Sequence, residues 1–359
     1  MADGADRAAS KPAVAVDGAV AVDGAVAVDA AIAGPRLDKL DWLWADTRAK
    51  VALAWILVVL FVSVFAPLLA PADPTEQNLR SILAEPSAAN LLGTDDIGRD
   101  FFSRLLYGAR VSMFGAFLAV TVSMVLGIPV GLVAGYLGGL VENVLMRIVD
   151  SILGFPAIVL AIGLVAALGP GLTNAMVAVG VTFAPSVARL MRGQVLATKN
   201  HLYVDAAVQY GSPSWRTVVR HILPNAIQPI IVQAALLLAV AFLAEAALSF
   251  LGLGAQPPTP SWGGMLSRSS QYLQVSPAVQ LYAPGLAIAL TVLAINALGD
   301  SLRDSLDPVA GTERRLRRAI GRADRRRSPS GAGAQESDPE AIETRPVGFG
   351  GDRAGQAAT

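Results

Sequence analysis

Long runs without a charged residue recur along this chain and constrain its fold more than any other feature. A bilayer-spanning helix needs roughly 20 predominantly apolar residues. The uncharged apolar windows are Val51–Leu69, Val111–Val141, Ser151–Ala188, Ile222–Ala244 and Tyr282–Gly299. Gly169-Pro170-Gly171 divides the third window, and Gly-Pro pairs mark tight turns, so we interpret this window as a hairpin of two spans. The pattern predicts an all-α integral membrane protein with six transmembrane helices.

The composition agrees with this class and excludes several kinds of site. Charged residues make up only 16% of the chain, whereas soluble domains carry about 25%. Cysteine is absent, which excludes disulfides and cysteine-based metal sites. None of the lysines follows a glycine, so the chain lacks the Gly-Lys-Ser/Thr loop that cradles nucleotide phosphates. We therefore expect no enzyme activity, no cofactor or metal bound by the chain itself, and no nucleic-acid partner.

The distribution of Lys and Arg predicts the orientation in the membrane. Basic residues precede the first span, flank the polar segment before the fifth span, and follow the last span. Cytoplasmic loops carry an excess of Lys and Arg, so we expect a multi-pass protein of the cell membrane with both termini in the cytoplasm. The loop 71–110 runs against this rule, with Arg80, Arg99, Arg104 and Arg110 outside and Asp95, Asp96 and Asp100 available to offset them.

The two ends of the chain differ in composition from the rest. Residues 1–48 contain a repeated six-residue unit, AVAVDG, which is too short to bury a core. Residues 309–359 are rich in Arg, Gly, Ser and Pro and lack apolar periodicity. Both regions are predicted to be disordered cytoplasmic tails that flank a membrane domain over residues 49–308. A second interpretation of Arg314–Arg327 is electrostatic binding of anionic lipid.

The stretch YVDAAVQYGSPSWRTVVRHILPN, Tyr203–Asn225, is polar and helix-like between apolar spans. Asn200 is a candidate cap for a first short helix, and Gly211 is placed as its left-handed stop. Ser212 and Pro213 would then begin a second helix. The apolar stripe of that second helix would consist of Trp215, Val218, Val219 and Ile222. From amphipathicity alone, such an element either lies on the membrane surface or docks into a groove of a soluble protein.

This segment resembles the cytoplasmic loop signature of ABC importer permeases: EAA, three residues, Gly, nine residues, I-x-LP. The matching positions are Asp205, Ala206, Ala207, Gly211, His221, Leu223 and Pro224. Asp205 replaces the usual Glu, and His221 occupies the Ile position. Three further stretches, LLGTDDIGRDFFSRLLYGARVS, LSFLGLGAQPPTPSWGGML and NALGDSLRDSLDP, are similar to the C-type permease of the dipeptide/oligopeptide group.

The resemblance implies a type I ABC importer permease fold with a cytoplasmic coupling loop over residues 191–224. It implies a homologous permease subunit, ABC ATPase subunits that hold ATP and Mg, and an extracytoplasmic substrate-binding protein as partners. It also implies transport of dipeptides or oligopeptides, although the same group includes permeases for nickel and glutathione. The alternative class is an ion-coupled secondary transporter that works alone.

Glu245 is the intramembrane charge with the strongest claim to function. A charge at the centre of a bilayer costs roughly 2.5–3.5 kcal/mol on insertion scales, so it normally faces a cavity or a partner. The functional interpretation places Glu245 on the translocation path, and the structural one gives it a hydrogen bond or ion pair at the outer end of its span. The sequence favours the structural interpretation without excluding the other.

Overall fold

The structure of the protein, a computed structural model, describes residues 46–272, 274–275 and 277–306. The predicted tails 1–48 and 309–359 therefore lie almost wholly outside the described residues. At the N-terminal limit of the described residues, the first helix begins at Thr47, which lies inside the predicted tail 1–48. Asp46 caps this helix by accepting a hydrogen bond from the Arg48 amide at 3.0 Å.

The regular structure of the described residues is helical, with an isolated β-bridge between Thr94 and Asp100. The helices are α1 Thr47–Leu69, α2 Phe101–Leu137, α3 Gly139–Leu153, α4 Ala157–Leu168, α5 Leu172–Lys199, α6 Leu202–Gln209, α7 Ser214–Thr217, α8 Leu223–Ala226, α9 Gln228–Phe250, α10 Trp262–Gln271 and α11 Ala278–Leu306. One π-helical turn, Val218–Ile222, joins α7 to α8.

Five helices of the described part, α1, α2, α5, α9 and α11, are long and apolar enough to cross a membrane. A sixth crossing exists only if α3 and α4 count as one broken span, because they meet at an angle of 92°. Helix α4 has 12 residues, or about 18 Å at roughly 1.5 Å per residue, against a hydrocarbon core of about 30 Å. The first of the two spans predicted from Ser151 is thus a short helix, α4, that follows a sharp bend.

Helix α2 differs from its prediction at both ends. It begins at Phe101 rather than Val111, because the Asp100 carboxylate caps it by accepting from the Ser103 amide at 2.8 Å. The sequence has Gly127, Pro129, Gly131 and Gly135 in this window and so predicts a tilted helix with a loosened C-terminal end. That prediction is wrong, because the helix continues through Pro129 to Leu137. The glycines serve packing instead.

Gly127, Gly131 and Gly135 form a stripe on α2 that lies directly against α5. A methyl group added at Gly131 would stand 2.3 Å from the Ala188 carbonyl oxygen, and one at Gly127 would stand 2.6 Å from the Ala184 oxygen. Small residues spaced four apart allow the backbones of membrane helices to approach closely. The stripe therefore positions α5, the helix that leads into the polar segment.

The loop before α2, which the orientation rule predicts to lie outside, is held by a cluster of charges. We call it the outer charge cluster: Asp95, Asp96, Arg99, Arg104 and Arg268. Asp95 lies 2.6 Å from the Arg99 Nη2 and 3.3 Å from the Arg104 Nε. Asp96 pairs with Arg268 of α10 at 3.0 Å. Arg99 is only 1% exposed. Two of the four arginines that run against the orientation rule, Arg99 and Arg104, are thus neutralised by aspartates inside the protein.

Gly131→Ala is expected to lower stability although alanine is the better helix former. Overpacking of a tight contact costs about 1–3 kcal/mol, while helix propensity returns only about 1 kcal/mol. The measurement is the midpoint of thermal unfolding of the detergent-purified chain. Gly193→Ala is the matched control, because a methyl group there meets nothing within 4 Å. Equal or higher midpoints for both variants would contradict the packing role of the stripe.

Arg99→Ala is expected to lower the free energy of unfolding by about 3–5 kcal/mol, because the buried Asp95 carboxylate loses the nearer of its two arginine partners. Arg80 is exposed in the same loop, and Arg80→Ala should change stability by no more than about 0.5 kcal/mol. Chemical denaturation of both variants measures the difference. If the two variants unfold alike, the outer charge cluster does not stabilise the fold.

Candidate functional site

The polar segment forms a compact element between α5 and α9, which we call the helical loop (residues 200–226). Its inner side is anchored to the membrane domain by Val204 and Ile222, both buried. They belong to one apolar cluster with Met191 and Val195 of α5 and with Ile230 of α9. The helical loop therefore packs against α5 and α9, the helices on either side of it.

The turn between α6 and α7 depends on Gly211. Its φ of +79° lies in the left-handed region, where glycine avoids the penalty that a side chain would meet. The amide of Ser212 donates to the Ala207 carbonyl, and the amide of Gly211 donates to the Val208 carbonyl, each at 3.0 Å. These two bonds form the Schellman motif, which satisfies the last carbonyls of α6. The prediction of Gly211 as a left-handed stop is confirmed.

The predicted caps around this turn are wrong by one residue each. Helix α6 begins after His201, and Asn200 instead ends α5. Helix α7 begins at Ser214, after Pro213 rather than at it. The predicted boundary of the coupling loop at residue 191 also falls inside α5, which continues to Lys199.

Pro224 changes the helix before it instead of ending it. Proline has no amide hydrogen, so the Arg220 carbonyl loses its usual donor one turn later. The chain responds with the π-helical turn Val218–Ile222, in which the Leu223 amide donates to the Val218 carbonyl. π-turns inside helices are frequent at functional sites. Leu223 is half-buried and Pro224 is exposed.

The π-turn changes the direction in which successive side chains point. The residues of the predicted apolar stripe therefore do not all lie on one face of the helix. Ile222 and Val218 pack inward, whereas Trp215 is 67% exposed and Val219 is also exposed. The prediction of one continuous apolar stripe is therefore wrong, because an extra residue in the turn rotates the two halves relative to each other. The large apolar side chains that the helical loop leaves exposed, which we call the exposed apolar set, are Leu202, Tyr203, Val208, Tyr210, Trp215 and Val219.

Charged groups accompany the exposed apolar set. Asp205 is exposed in the first turn of α6, where the helix dipole favours a carboxylate. The Arg216 guanidinium lies 5.8 Å from the Trp215 ring centroid, a cation–π geometry. Partial burial raises the pKa of the Tyr203 phenol, so this side chain stays neutral at physiological pH.

Two alanines and a histidine complete the residues predicted for this site. Ala206 is exposed and Ala207 is half-buried. The small side chain of Ala206 therefore allows another surface to approach this side of α6 closely. His221 is half-buried, and its backbone carbonyl accepts a hydrogen bond from the Asn225 amide group at 2.7 Å. His201 stacks on Tyr203 with ring centroids 5.5 Å apart. The ring of His201 thus contacts a neighbour inside the helical loop, and the backbone of His221 accepts from one.

Glu245 lies far from the helical loop, 17 residues along α9 from its start, or about 25 Å at the rise of an α-helix. Its side chain is 0% exposed. The Ser249 hydroxyl donates to its Oε1 at 2.8 Å. A methyl group at Gly115 of α2 would stand 3.1 Å from the Glu245 Cγ. The structure therefore places Glu245 in the helix packing of this chain and not beside the helical loop.

Two sequence models of known families match most of the described residues. The sequence model of the binding-protein-dependent transport system inner membrane component matches residues 127–310. The model of the N-terminal TM domain of oligopeptide transport permease C matches residues 43–86. A chain of the MetNI methionine ABC transporter, solved in inward-facing conformations, is 20% identical with a TM-score of 0.47, over 56% of this chain and 96% of that one.

Curated relatives are much more similar in sequence. The dipeptide transport system permease protein of Escherichia coli strain K12 is 49% identical over 72% of this chain and 88% of its own. The dipeptide permease protein of Alkalihalophilus pseudofirmus is 45% identical over 73% and 86%. The glutathione transport system permease protein of Pectobacterium atrosepticum is 42% identical over 73% and 88%.

These matches span both the first helix and the region that contains the helical loop. Together with the apolar helices, they define a multi-pass inner-membrane protein with the role of a transport permease. The all-α fold class predicted from the uncharged windows is confirmed. The chain belongs to the family of binding-protein-dependent transport system inner membrane components, in its group of dipeptide and oligopeptide permease C proteins.

Proposed function

We propose that this chain is the membrane-spanning subunit of an ATP-driven importer of dipeptides or oligopeptides, and that its helical loop docks on a partner ATPase. The observation that carries the proposal is the two-sided construction of the helical loop. Its inner side is buried against α5 and α9, while its outer side exposes an aromatic and apolar set that includes Tyr210 and Trp215. An element of this kind transmits force from a partner to the membrane domain.

Docking on a protein fits the exposed apolar set better than lying on the membrane surface does. Trp, Tyr and Arg are enriched among the residues that carry most of the energy of protein interfaces, and Tyr210, Trp215 and Arg216 are all exposed here. Tyr210, the most exposed of the six at 93%, follows α6 at the turn, so it projects beyond the helix. Asp205 and Arg220 add charges of both signs around it, which suits a partner surface of mixed charge.

Coupling then follows from the anchoring of the helical loop. Movement of a docked ATPase would displace α6, and the apolar contacts of Val204 and Ile222 would carry this displacement to α5 and α9. Close-packed helices move as bodies between discrete arrangements rather than deforming continuously. The seven positions that match the family signature would thus serve to dock the helical loop on the ATPase and to form its turn, with no chemical step in this chain.

ATP and Mg would bind at the ATPase partner, because this chain has no phosphate-binding loop. The helical loop and the basic residues Arg189 and Arg192 of α5 would face the cytoplasm, as would both termini. An extracytoplasmic binding protein would deliver substrate at the opposite side, where the outer charge cluster braces the loop before α2.

A homologous permease subunit would complete the translocation path at the break between α3 and α4. Gly154, Phe155 and Pro156 are exposed at this break. Helix α4 is too short to cross the hydrocarbon core alone, so the break belongs to the span. Non-helical backbone at membrane depth is tolerated where it is covered by protein or lines a water-filled cavity. The second subunit would supply that cover and the other wall of the path.

The substrate class rests on the relatives, whose names specify dipeptides and glutathione. The complex that co-purifies with this chain, reconstituted in liposomes, is expected to take up a labelled dipeptide only when ATP and Mg are present on the ATPase side. Excess unlabelled dipeptide should compete, and excess glutathione or nickel should compete less. Preferential competition by glutathione or nickel would move the assignment to those substrates. Uptake driven by an ion gradient without ATP would support a secondary transporter instead.

Docking can be tested by cross-linking, since the chain has no cysteine and an introduced one is unique. Ala206→Cys, treated with a short cysteine-to-lysine reagent in native membranes, is expected to form an adduct with the ABC ATPase subunit. Leu79→Cys is the control, because Leu79 is exposed in the loop before α2, at the predicted opposite side. Absence of an adduct from Ala206→Cys, or an equal adduct from Leu79→Cys, would contradict the docking surface.

A further inference from the structure

Helices α1 and α11 pack against each other and are joined by two hydrogen bonds. Near one end, the Ser301 hydroxyl donates to the Asp46 carboxylate at 3.3 Å. Deeper in the bundle, the Trp55 indole donates to the Thr291 hydroxyl at 3.2 Å. These bonds fix the helices at positions about nine residues apart on α1, or roughly 14 Å. Beside the contact between the two bonds, the surface of the helix pair forms a groove.

The groove has a volume of about 450 Å³. Its floor is shallow because small side chains line it, among them Ala52, Ala294 and Ala297. Its walls are the large side chains Val51 and Leu293, each 66% exposed. Ligand pockets of roughly 300–1,000 Å³ are common, and this one offers almost only hydrocarbon to an occupant.

The end of the groove near Asp46 has a different character. Thr47 and Arg48 line it there, and Arg48 is exposed. The described residues provide no carboxylate within ion-pair distance of the Arg48 guanidinium. The groove thus combines a long apolar part with a cationic mouth at the N-terminal end of α1.

The position of α1 identifies the surroundings of the groove. Helix α1 packs against α2 and α11, and the groove walls Val51 and Leu293 are themselves exposed. Exposed apolar side chains on membrane-crossing helices face lipid. The groove therefore opens towards acyl chains, and basic pockets between transmembrane helices bind anionic headgroups.

We propose that the α1–α11 groove is a binding site for an anionic phospholipid, with an acyl chain between Ala52 and Ala294 and the phosphate at Arg48. The lipid fills the groove beside the contact between the two helices and so adds to the attachment of α1. This site is separate from the helical loop and from the break between α3 and α4. It does not depend on the substrate or on the ATPase proposed above.

Native mass spectrometry of the delipidated, full-length protein in its complex tests the site, with phosphatidylglycerol and phosphatidylcholine as probes. The unmodified protein is expected to retain phosphatidylglycerol preferentially. Arg48→Gln should reduce that preference about fivefold, the factor equivalent to about 1 kcal/mol for one basic residue beside an anionic membrane. Ala294→Phe fills the groove and should abolish retention of either lipid, and Ala297→Phe serves if that variant does not fold.

Matched controls separate a built site from general attraction to lipid. Arg147 is another exposed arginine, on α3, and Arg147→Gln should leave the preference unchanged. Leu57 is exposed on the outer side of α1, and Leu57→Phe should leave retention unchanged. The proposal is overturned if the unmodified protein shows no preference, or if controls and groove variants behave alike. It is also overturned if removal of residues 2–45 raises lipid retention, because that segment would then occupy the groove.

Discussion

The close contact between α2 and α5 is the interaction on which the rest of this structure depends. In a bilayer there is no hydrophobic driving force between helices, so association relies on close backbone approach and on hydrogen bonds. The Gly127, Gly131 and Gly135 stripe provides that approach along several turns. Because Met191 and Val195 of α5 belong to the apolar cluster that anchors the helical loop, the stripe determines the position of the helical loop relative to the membrane domain.

Polar interactions are concentrated at the two ends of this helix pair. At one end, the outer charge cluster holds the loop before α2 against α10 through Asp96 and Arg268. At the other end, Arg192 of α5 donates to Glu142 of α3 at 2.6 Å, and Lys199 donates to the Tyr136 carbonyl at 2.8 Å. The pair is therefore held by close backbone approach in its apolar middle and by ion pairs and hydrogen bonds at its ends.

The sequence was sufficient for features that depend on composition or on one residue, and insufficient for features that depend on contacts. The uncharged windows predicted the long spans, and Gly211 was identified because only a left-handed turn explains a glycine there. The burial of Arg99 could not be foreseen, since its partners Asp95 and Asp96 enclose it only in the folded loop. The glycines of α2 looked like weak points because their neighbour, α5, was not visible in the sequence. The phase shift at Val218 required knowledge of how the chain accommodates Pro224.

Helix α1 illustrates a different kind of dependence. The family match that contains the helical loop begins at residue 127, and α1 falls under a separate match over residues 43–86, so α1 is an addition to a shared set of helices. Hydrogen bonds through Asp46 and Trp55 join it to α11, and small residues line the groove beside this contact. Lipid in the groove would then preserve the apolar contact in each state of the permease, because an acyl chain adapts to a changing space and a fixed side chain does not.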